Sequence, residues 1–599
     1  PDSEGRASNI RDFGDGFGGE GDKTDSASDP SPSHITDADG VNRLAADIAE
    51  WGAPVALDTE TTGLDPERDR VRLIQLCVNG GVFVIDVFAF PDPKAALAAL
   101  FAALATVEVV GHNLTAFDLP FLARLGFAAA TVFDTAVASR VVYAGKNLPH
   151  GLGDVLRREL NVAVDKSAQK SDWSRRDLTP AQLAYAAADV AFLIPLADAL
   201  RAKATAAGLA PVLGLEMAAA LPLAALAARG VGFDVQAWLA LTADAKSARD
   251  RLVEELDRLA PNAATLTRTR NWNKPAEVLA AFRQFQVELP DSSEGTLAAV
   301  DHPLASVVLA YREAAQRVQA FGRKWAQKHD RDGRVFATWN LTGAKTGRMS
   351  CSGPNLQQVP RAAGYRQCFV AAPGHVLVKC DFSQIELRIA AKVTGDAAMA
   401  AAYRDGLDLH RMTAAAFLGV GEQDVTKDAR SAAKIVNFGA IYGMSPKGLR
   451  RKARTEYGRD VSLDEARRFL GAFFARFPDV ARWHARLKRS QATHVATLAG
   501  RRIAVERDQF YGAKANFIVQ GTGGDGLKRA LVLLHERRAE CPNARPVLAV
   551  HDEVVVEVPE AEAESARDWL CRCMVDGMRT LIDPVPVEVE ASIGRTWGG

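Results

Sequence analysis

Acidic residues able to hold divalent ions fall in a few short stretches of this chain, and their spacing places them together on single elements. In Val55-Ala-Leu-Asp58-Thr-Glu60-Thr-Thr-Gly63 the apolar run predicts a strand, on which side chains two apart share a face, so Asp58 and Glu60 point the same way. His112-Asn113-Leu-Thr-Ala-Phe117-Asp118 falls where a strand turns into a helix. Tyr185 and Asp189 stand four apart in a helical segment and stack on one face. A single acidic pair on a strand end is more often a solvated face. Four carboxylates on separate elements can hold two divalent ions about 4 Å apart, which activate water and stabilise a leaving alkoxide in phosphodiester cleavage.

A second constellation lies downstream. Val376-Leu-Val-Lys-Cys-Asp381 reads as a strand delivering Asp381 at its end, followed by a helix that presents Glu386. Pro546 to Val550 and Val554 to Val558 read as two β runs around the polar turn His551-Asp552-Glu553. An aspartate in such a turn is commonly only a turn former, but with a second strand-end aspartate it can complete another two-metal site. Between them Arg430, Lys434, Phe438 and Tyr442 recur every four residues. At about 100° per residue they form one slowly spiralling helical stripe, with two cations suited to phosphate oxygens and then two rings suited to a base. Taken alone, such a stripe is usually an amphipathic face.

These residues need elements to position them. Length suggests about four domain-sized units, and 48% apolar residues is ample for large cores, which excludes collagenous and wholly disordered classes. Lys plus Arg equals Asp plus Glu at 73 each, yet residues 1–40 hold ten acidic side chains against three basic ones. The remainder is mildly basic, which fits a polyanionic partner. Seven cysteines without a CxxC pair indicate neither a disulfide framework nor a zinc site. The apolar stretches near 94–106 and 217–228 read as too short or interrupted to span a bilayer, and the polar N-terminus shows no secretory signal. The expectation is a soluble, intracellular monomer.

Residues 1–35, rich in Gly, Ser, Asp and Pro, read as a disordered acidic tail in which Phe13 and Phe17 are scattered exposed rings. Thr36 is the expected cap of a helix through Trp51. Strands are expected at 54–58, 71–78, 82–87 and 107–110, with helices to about Ala204, giving an α/β domain over 36–205. Thr205–Pro211, with Gly208, is the expected linker. Beyond it the pattern is α+β: a long helical stretch interrupted near 261–273, then strands at 334–340, 375–380, 546–550 and 554–558.

The succession DTETTGL, HNLTAFD and YAAAD resembles the DnaQ-like proofreading 3′-5′ exonucleases of the four-carboxylate-plus-tyrosine type, with an RNase H-like mixed sheet. The resemblance implies that Asp58, Glu60, Asp118 and Asp189 bind metals, that Tyr185 orients the attacking water, and that Leu64 and Asn113 contact the terminal nucleotide. Residues 210–599 are similar to the polymerase domain of the DNA polymerase I family (family A, Klenow-like). That likeness implies a right hand: thumb at about 240–330, palm at 331–400 and 515–599, fingers at 401–514.

The same likeness makes Asp381 and Asp552 the metal-binding aspartates, Glu553 an auxiliary acid beside them, and Lys434 the proton donor to pyrophosphate. It makes Glu386 the residue that excludes a ribose 2′-hydroxyl, His410, Arg430 and Lys434 triphosphate contacts, and Phe438 and Tyr442 the neighbours of the nascent pair. Arg348, Gln384, Asn516, Gln520 and His551 become primer, template or substrate contacts. Gly512 stands where the family usually has an arginine, with Lys514 a candidate replacement. Arg312, Arg317, Arg323, Lys324 and Lys328, and the basic run Lys447–Arg454, are candidate phosphate trackers.

The expected cofactor is Mg2+, two ions per centre, with Mn2+ able to substitute. The expected partners are primer-template DNA and dNTPs, with helicase, primase or processivity factors unspecified and no membrane. The expected place is the cytoplasm, at a nucleoid, in a phage-infected cell or in an organelle, in DNA replication or repair, and no 5′-nuclease domain is expected. The competing readings are an RNA polymerase or reverse transcriptase, and a nucleic-acid-binding scaffold with decayed sites. Glu386 and the complete set of carboxylates argue against both.

Overall fold

Val71–Val78 is buried at all eight positions, Arg72 and Gln75 included, as a strand covered on both faces must be. The computed structural model describes residues 32–261, 270–361, 364–457 and 461–599 and makes this strand the third of six. The order is Ser33–Ile35, Gly81–Asp86, Val71–Val78, Val55–Thr61, Glu108–Gly111 and Thr131–Asp134. The first pair and the last two pairs are parallel and the two between are antiparallel, so the sheet is mixed, as expected. Alternation sorts its faces. Val55, Leu57, Ile74 and Leu76 join the core built with helices Ala38–Trp51 and Pro93–Leu104, while Ala56, Leu73, Cys77 and Val84 face cores formed with Pro180–Ala191 and Leu193–Ala206.

Three boundaries differ from expectation. The sheet begins at Ser33, because Ser33–Ile35 pairs with Phe83–Ile85; residues 1–31 of the expected tail lie outside the described residues. Asp37, not Thr36, caps the first helix, its carboxylate accepting from Gly40 N at 2.7 Å. The expected linker shrinks to residues 207–209, since one helix runs through Ala206 and the next is Ala210–Arg229, with Gly208 between them at φ +67°.

This joining helix packs on Asp118–Arg124 and Thr131–Asp134 of the first half, and on Tyr511–Glu536 and Arg545–Val550 of the second. It and Pro180–Ala206 are, by length and composition, apolar enough to cross a membrane, which corrects the expectation that no such stretch exists. Their apolarity serves packing on several sides. Glu216 in the middle of the joining helix is fully buried with Lys528 and Asp525, and Arg501 is 3% exposed. Arg501 bonds both carboxylates, and Lys528 Nζ reaches Glu216 at 2.5 Å and the Gly347 carbonyl at 2.7 Å. A buried charge set is retained only when its members neutralise one another, as these two cations and two anions do.

The second half centres on an antiparallel sheet ordered Arg545–Val550, Glu553–Pro559, His375–Phe382 and Val589–Gly594, the last strand being unforeseen. Tyr511–Glu536 and Ala563–Ile582 pack on each other, and both pack against elements of this body. Leu409–Leu418, Lys427–Ile441 and Leu463–Arg476 form a helical group beside it, and Val235–Leu259 pairs with Pro303–Phe321.

Candidate active sites

Asp58 and Glu60 lie on the sheet face that looks toward Pro180–Ala191, a helix started by Thr179 and Gln182 in reciprocal side-chain capping. That helix brings Asp189 to them: ligand oxygens of Asp58, Glu60 and Asp189 lie within 4.8 Å of one another, the single such group of three among the described residues. Asp118 is close enough to raise Asp58 electrostatically but stands outside that group. It is 2% exposed and accepts from Thr59 Oγ1 at 2.6 Å. The expected fourth ligand thus has one oxygen engaged by a hydroxyl.

Burial and mutual repulsion act together here. Burial, then Asp118, Asp189 and Glu60, raise Asp58 well above the carboxylate range. Burial and the charges of Asp189 and Asp118 push Glu60 up to about 8, and burial pushes Asp118 up to about 7. Burial raises Asp189, and burial followed by Asp189 raises Tyr185. Acids crowded in this way carry excess like charge that divalent cations would neutralise.

These residues line a cleft of about 740 Å³. Leu64 stands 84% exposed at its rim, and Asn113, at φ +66°, lines its wall. Sequence reasoning missed the residue that sets this wall. Asp134, 1% exposed, accepts from the backbone of Asn113 (2.9 Å), Thr115 (3.1 Å), Ala136 (3.0 Å) and Val137 (3.2 Å), so one carboxylate fixes the loop before Asp118 and caps the next helix. An acid ending the apolar run Thr131–Phe133 was its only signal. Also missed were the cations Arg140, Lys166 and Lys170 on the cleft wall, which belong to no motif.

In the second half Asp381 pairs in register with Glu553, and Phe382 N donates to the Asp552 carbonyl at 3.2 Å, so Asp381 and Asp552 meet at one end of the sheet. Burial, then the charges of Asp552 and Glu553, push Asp381 up to about 7. Burial raises Asp552 against the pull of Arg348 and Arg361. Asp381 Oδ1 is buried with no hydrogen-bond partner among the described residues, and Arg361 lies 3.9 Å from Oδ2. An oxygen left so is suited to a cation. Glu553 does stand beside Asp381, as its register and its charge on that carboxyl show. At 3% exposure it also accepts from Trp597 Nε1 and lies 3.6 Å from Arg366, so it is buried and engaged rather than open to solvent.

The predicted stripe exists on Lys427–Ile441, with Tyr442 at its C-cap. Arg430, Lys434, Phe438 and Tyr442 are half-buried or exposed, whereas Ala433, Ile435, Val436, Gly439 and Ala440 are buried. Both ends of the stripe are engaged. Arg430 Nε bonds Asp408 at 2.6 Å, Tyr442 OH donates to Glu386, and Arg348 Nη2 donates to Glu386 at 2.9 Å. Arg348 Nε also bonds the Gln520 carbonyl at 3.2 Å, and Tyr403 OH reaches Gln384 at 3.5 Å. Lys434 is exposed and forms no ion pair among the described residues.

Four further expectations change. His410 is 2% exposed, bonded to Asn437 at 2.9 Å, and burial lowers it to about 4, so it is a packed neutral ring here. Lys514 is 2% exposed with its ammonium toward the Arg507 carbonyl, so it does not replace a missing arginine. Gly512 has its own reason: a Cβ there would lie 2.3 Å from the Tyr442 carbonyl. Arg312 is tied to Ser292 and does not track phosphates. Asn516 is half-buried, and His551 is exposed at φ +60°.

A mixed-sheet carboxylate centre joined by one buried helix to an antiparallel sheet with two strand-end aspartates and a cation-bearing helix defines a class: polymerases that carry an editing nuclease. The model of the family described as DNA polymerase family A matches residues 275–599, and that described as 3′-5′ exonuclease matches 32–205. DNA polymerase I of Aquifex aeolicus (strain VF5) is 33% identical over 603 residues, covering 94% of this chain and 99% of that protein. DNA polymerase I of Pseudomonas aeruginosa is 31% identical, covering 91% of this chain and 63% of that protein, and the thermostable DNA polymerase I of Thermus filiformis is 34% identical over 63% of this chain and 46% of its own length. A solved structure described as the POL domain of Pol1 from M. smegmatis in complex with DNA primer-template and dNTP shares the fold at TM-score 0.80 and 23% identity, covering 94% of this chain and 99% of that one. The chain belongs to DNA polymerase family A, and is a DNA-directed DNA polymerase with 3′-5′ exonuclease activity.

Proposed function

We propose that the chain extends a primer 3′-hydroxyl on a DNA template with dNTPs, releasing pyrophosphate, and that it removes mispaired 3′ ends in the separate 740 Å³ cleft. The observation that carries the reading is the gathering of two separate carboxylate sets: Asp58 and Glu60 of a strand with Asp189 of the helix over it, within 4.8 Å, in one half, and Asp381 and Asp552 at adjoining strand ends in the other. The crowded acids of the first set and the unpartnered Asp381 Oδ1 of the second fit divalent ions, which we assign as Mg2+, with Asp118 a further ligand. Such ions, when bound, activate the attacking oxygen and stabilise the leaving one.

The protein's own groups then divide the remaining work. Lys434, with no ion pair among the described residues, is available to the triphosphate and to protonate the departing pyrophosphate. Arg430 meets phosphate oxygens once it leaves Asp408. Glu386, held from both sides by Arg348 and Tyr442, presents a fixed carboxylate where a ribose 2′-hydroxyl would lie, which favours deoxynucleotides over the substrates of an RNA polymerase. Tyr185 orients the water attacking the terminal phosphodiester, Leu64 and Asn113 bracket the last nucleotide, and Phe438 flanks the new pair. Extension and 3′-end degradation by the pure chain test the reading. If Asp381→Ala and Asp552→Ala leave templated extension intact, the polymerase assignment is wrong; if Asp58→Ala with Glu60→Ala leaves degradation intact, the nuclease assignment is wrong.

A further inference from the structure

Lys166 belongs to no motif, yet it lines the same cleft as Asp58, Glu60, Asp118, Tyr185 and Asp189. Its place is built. The side chain lies across the start of helix Leu152–Leu160, over Gly151 and Gly153: a Cβ at 153 would come 2.5 Å from Lys166 Cε and 3.0 Å from Nζ, and one at 151 would lie 3.8 Å from Nζ. Any side chain at 153 would push the lysine off its seat. Neither glycine needs its conformational freedom for a left-handed backbone, since neither has a positive φ, so the space they leave is what the structure uses. From that seat the ammonium draws Asp189 back toward its ionised form against burial, which marks it as within electrostatic reach of the metal-binding acids. It forms no ion pair among the described residues.

We infer that Lys166 is a substrate-binding residue of the nuclease centre, contacting a backbone phosphate of the single-stranded 3′ end. The inference rests on the exonuclease reading above. Two divalent ions balance four carboxylates, and a phosphodiester entering that balanced centre brings one uncompensated negative charge. A lysine ammonium is a compact donor for such a charge, and this one is already seated on the cleft wall and free to turn to it. Arg140 and Lys170 extend the same basic wall along the strand's path.

The test uses the full chain and a 5′-fluorescein DNA tetranucleotide, bound in EDTA by anisotropy and hydrolysed with Mg2+. Lys166→Ala is expected to weaken binding and to lower kcat/KM by roughly 10- to 100-fold, chiefly through KM, and to reduce the slope of log affinity against log salt by about 0.7. Lys166→Arg should restore the tetranucleotide to within a few-fold, and Gly153→Val, which displaces the lysine without removing it, should move binding in the same direction as Lys166→Ala. Primer extension in every variant reports that the chain has folded. Binding and hydrolysis by Lys166→Ala within twofold of the unsubstituted chain overturn the inference, as does a loss that Lys166→Arg fails to recover and that leaves the salt slope unchanged. If the unsubstituted chain itself does not hydrolyse the strand, the exonuclease reading fails instead.

Discussion

In the first half of the molecule Asp58, Glu60 and Asp189 already stand within 4.8 Å, on a strand covered by a capped helix; in the second, Arg430 is bonded to Asp408, Tyr442 to Glu386 and His410 to Asn437. The nuclease centre is preassembled and lined by the cations Arg140, Lys166 and Lys170, which form no ion pair among the described residues. The polymerase half has its aspartates together but keeps Arg430, Tyr442 and His410, proposed or expected to meet the nucleotide, occupied with internal partners. On the proposed role of Arg430, its bond to Asp408 must be exchanged before it can meet a phosphate, so a nucleotide has to offer more than Asp408 does. Binding that requires an exchange discriminates among substrates, whereas a preformed cleft accepts any frayed 3′ end that reaches it.

The comparison breaks most visibly if the centres are not separate. Asp381→Ala or Asp552→Ala is expected to lower extension at least ~1,000-fold with single-strand hydrolysis within about twofold of normal, and the pair Asp58→Ala, Glu60→Ala the converse, each read on labelled oligonucleotides. Loss of both activities in either variant would mean one shared centre. Glu216→Ala asks whether the halves stand on common ground. It strands Arg501 and Lys528 beside a single buried carboxylate and is expected to cost about 3–5 kcal/mol in denaturant unfolding. A change under 1 kcal/mol would show that the joining helix does not depend on the charge set.

Arg430→Ala sharpens the contrast further. It should raise KM for dNTPs by roughly 10- to 100-fold in steady-state extension while leaving tetranucleotide hydrolysis unchanged. An unchanged KM would remove Arg430 from the nucleotide site. The smallest effect concerns pH. Glu60 is raised from 4.5 to about 8 and Asp118 from 3.8 to about 7, while in the palm sheet Asp381 is raised to about 7 and Asp552 is raised with it. Carboxyls raised by folding contribute stability that is fully present below their unfolded values and is lost as pH rises through the folded ones. The metal-free chain should therefore lose a few degrees of Tm between about pH 5 and 8, and Mg2+ should restore more at pH 8 than at pH 6. A Tm flat with pH in EDTA would contradict the crowding of these acids.

How much was legible in the sequence follows from how local each signal is. Asp58 with Glu60, and Tyr185 with Asp189, were readable because a strand repeats every two residues and a helix stacks every four, and the stripe from Arg430 to Tyr442 followed from the same geometry. The resemblance added which stretches meet across hundreds of residues. What neither supplied was occupancy. That His410 and Lys514 are buried, that Glu553 faces Trp597 and Arg366, and that Gly512 is required by the Tyr442 carbonyl depend on packing between distant segments. Ser33–Ile35 was assigned to the tail because three residues show no periodicity; the neighbouring strand's edge makes them β. The joining helix is legible only as the start of a long helical stretch, because its apolar residues meet partners all around, which leaves no amphipathic face to say what it packs on.

The asymmetry between a preassembled and a partner-occupied centre is tested most directly by titrating the DNA-free chain with Mn2+ and counting bound ions by electron paramagnetic resonance. The account predicts a tightest site that vanishes in Asp58→Ala, Glu60→Ala and persists in Asp381→Ala, Asp552→Ala. A tightest site that vanishes with the palm aspartates and survives loss of Asp58 and Glu60 would contradict it.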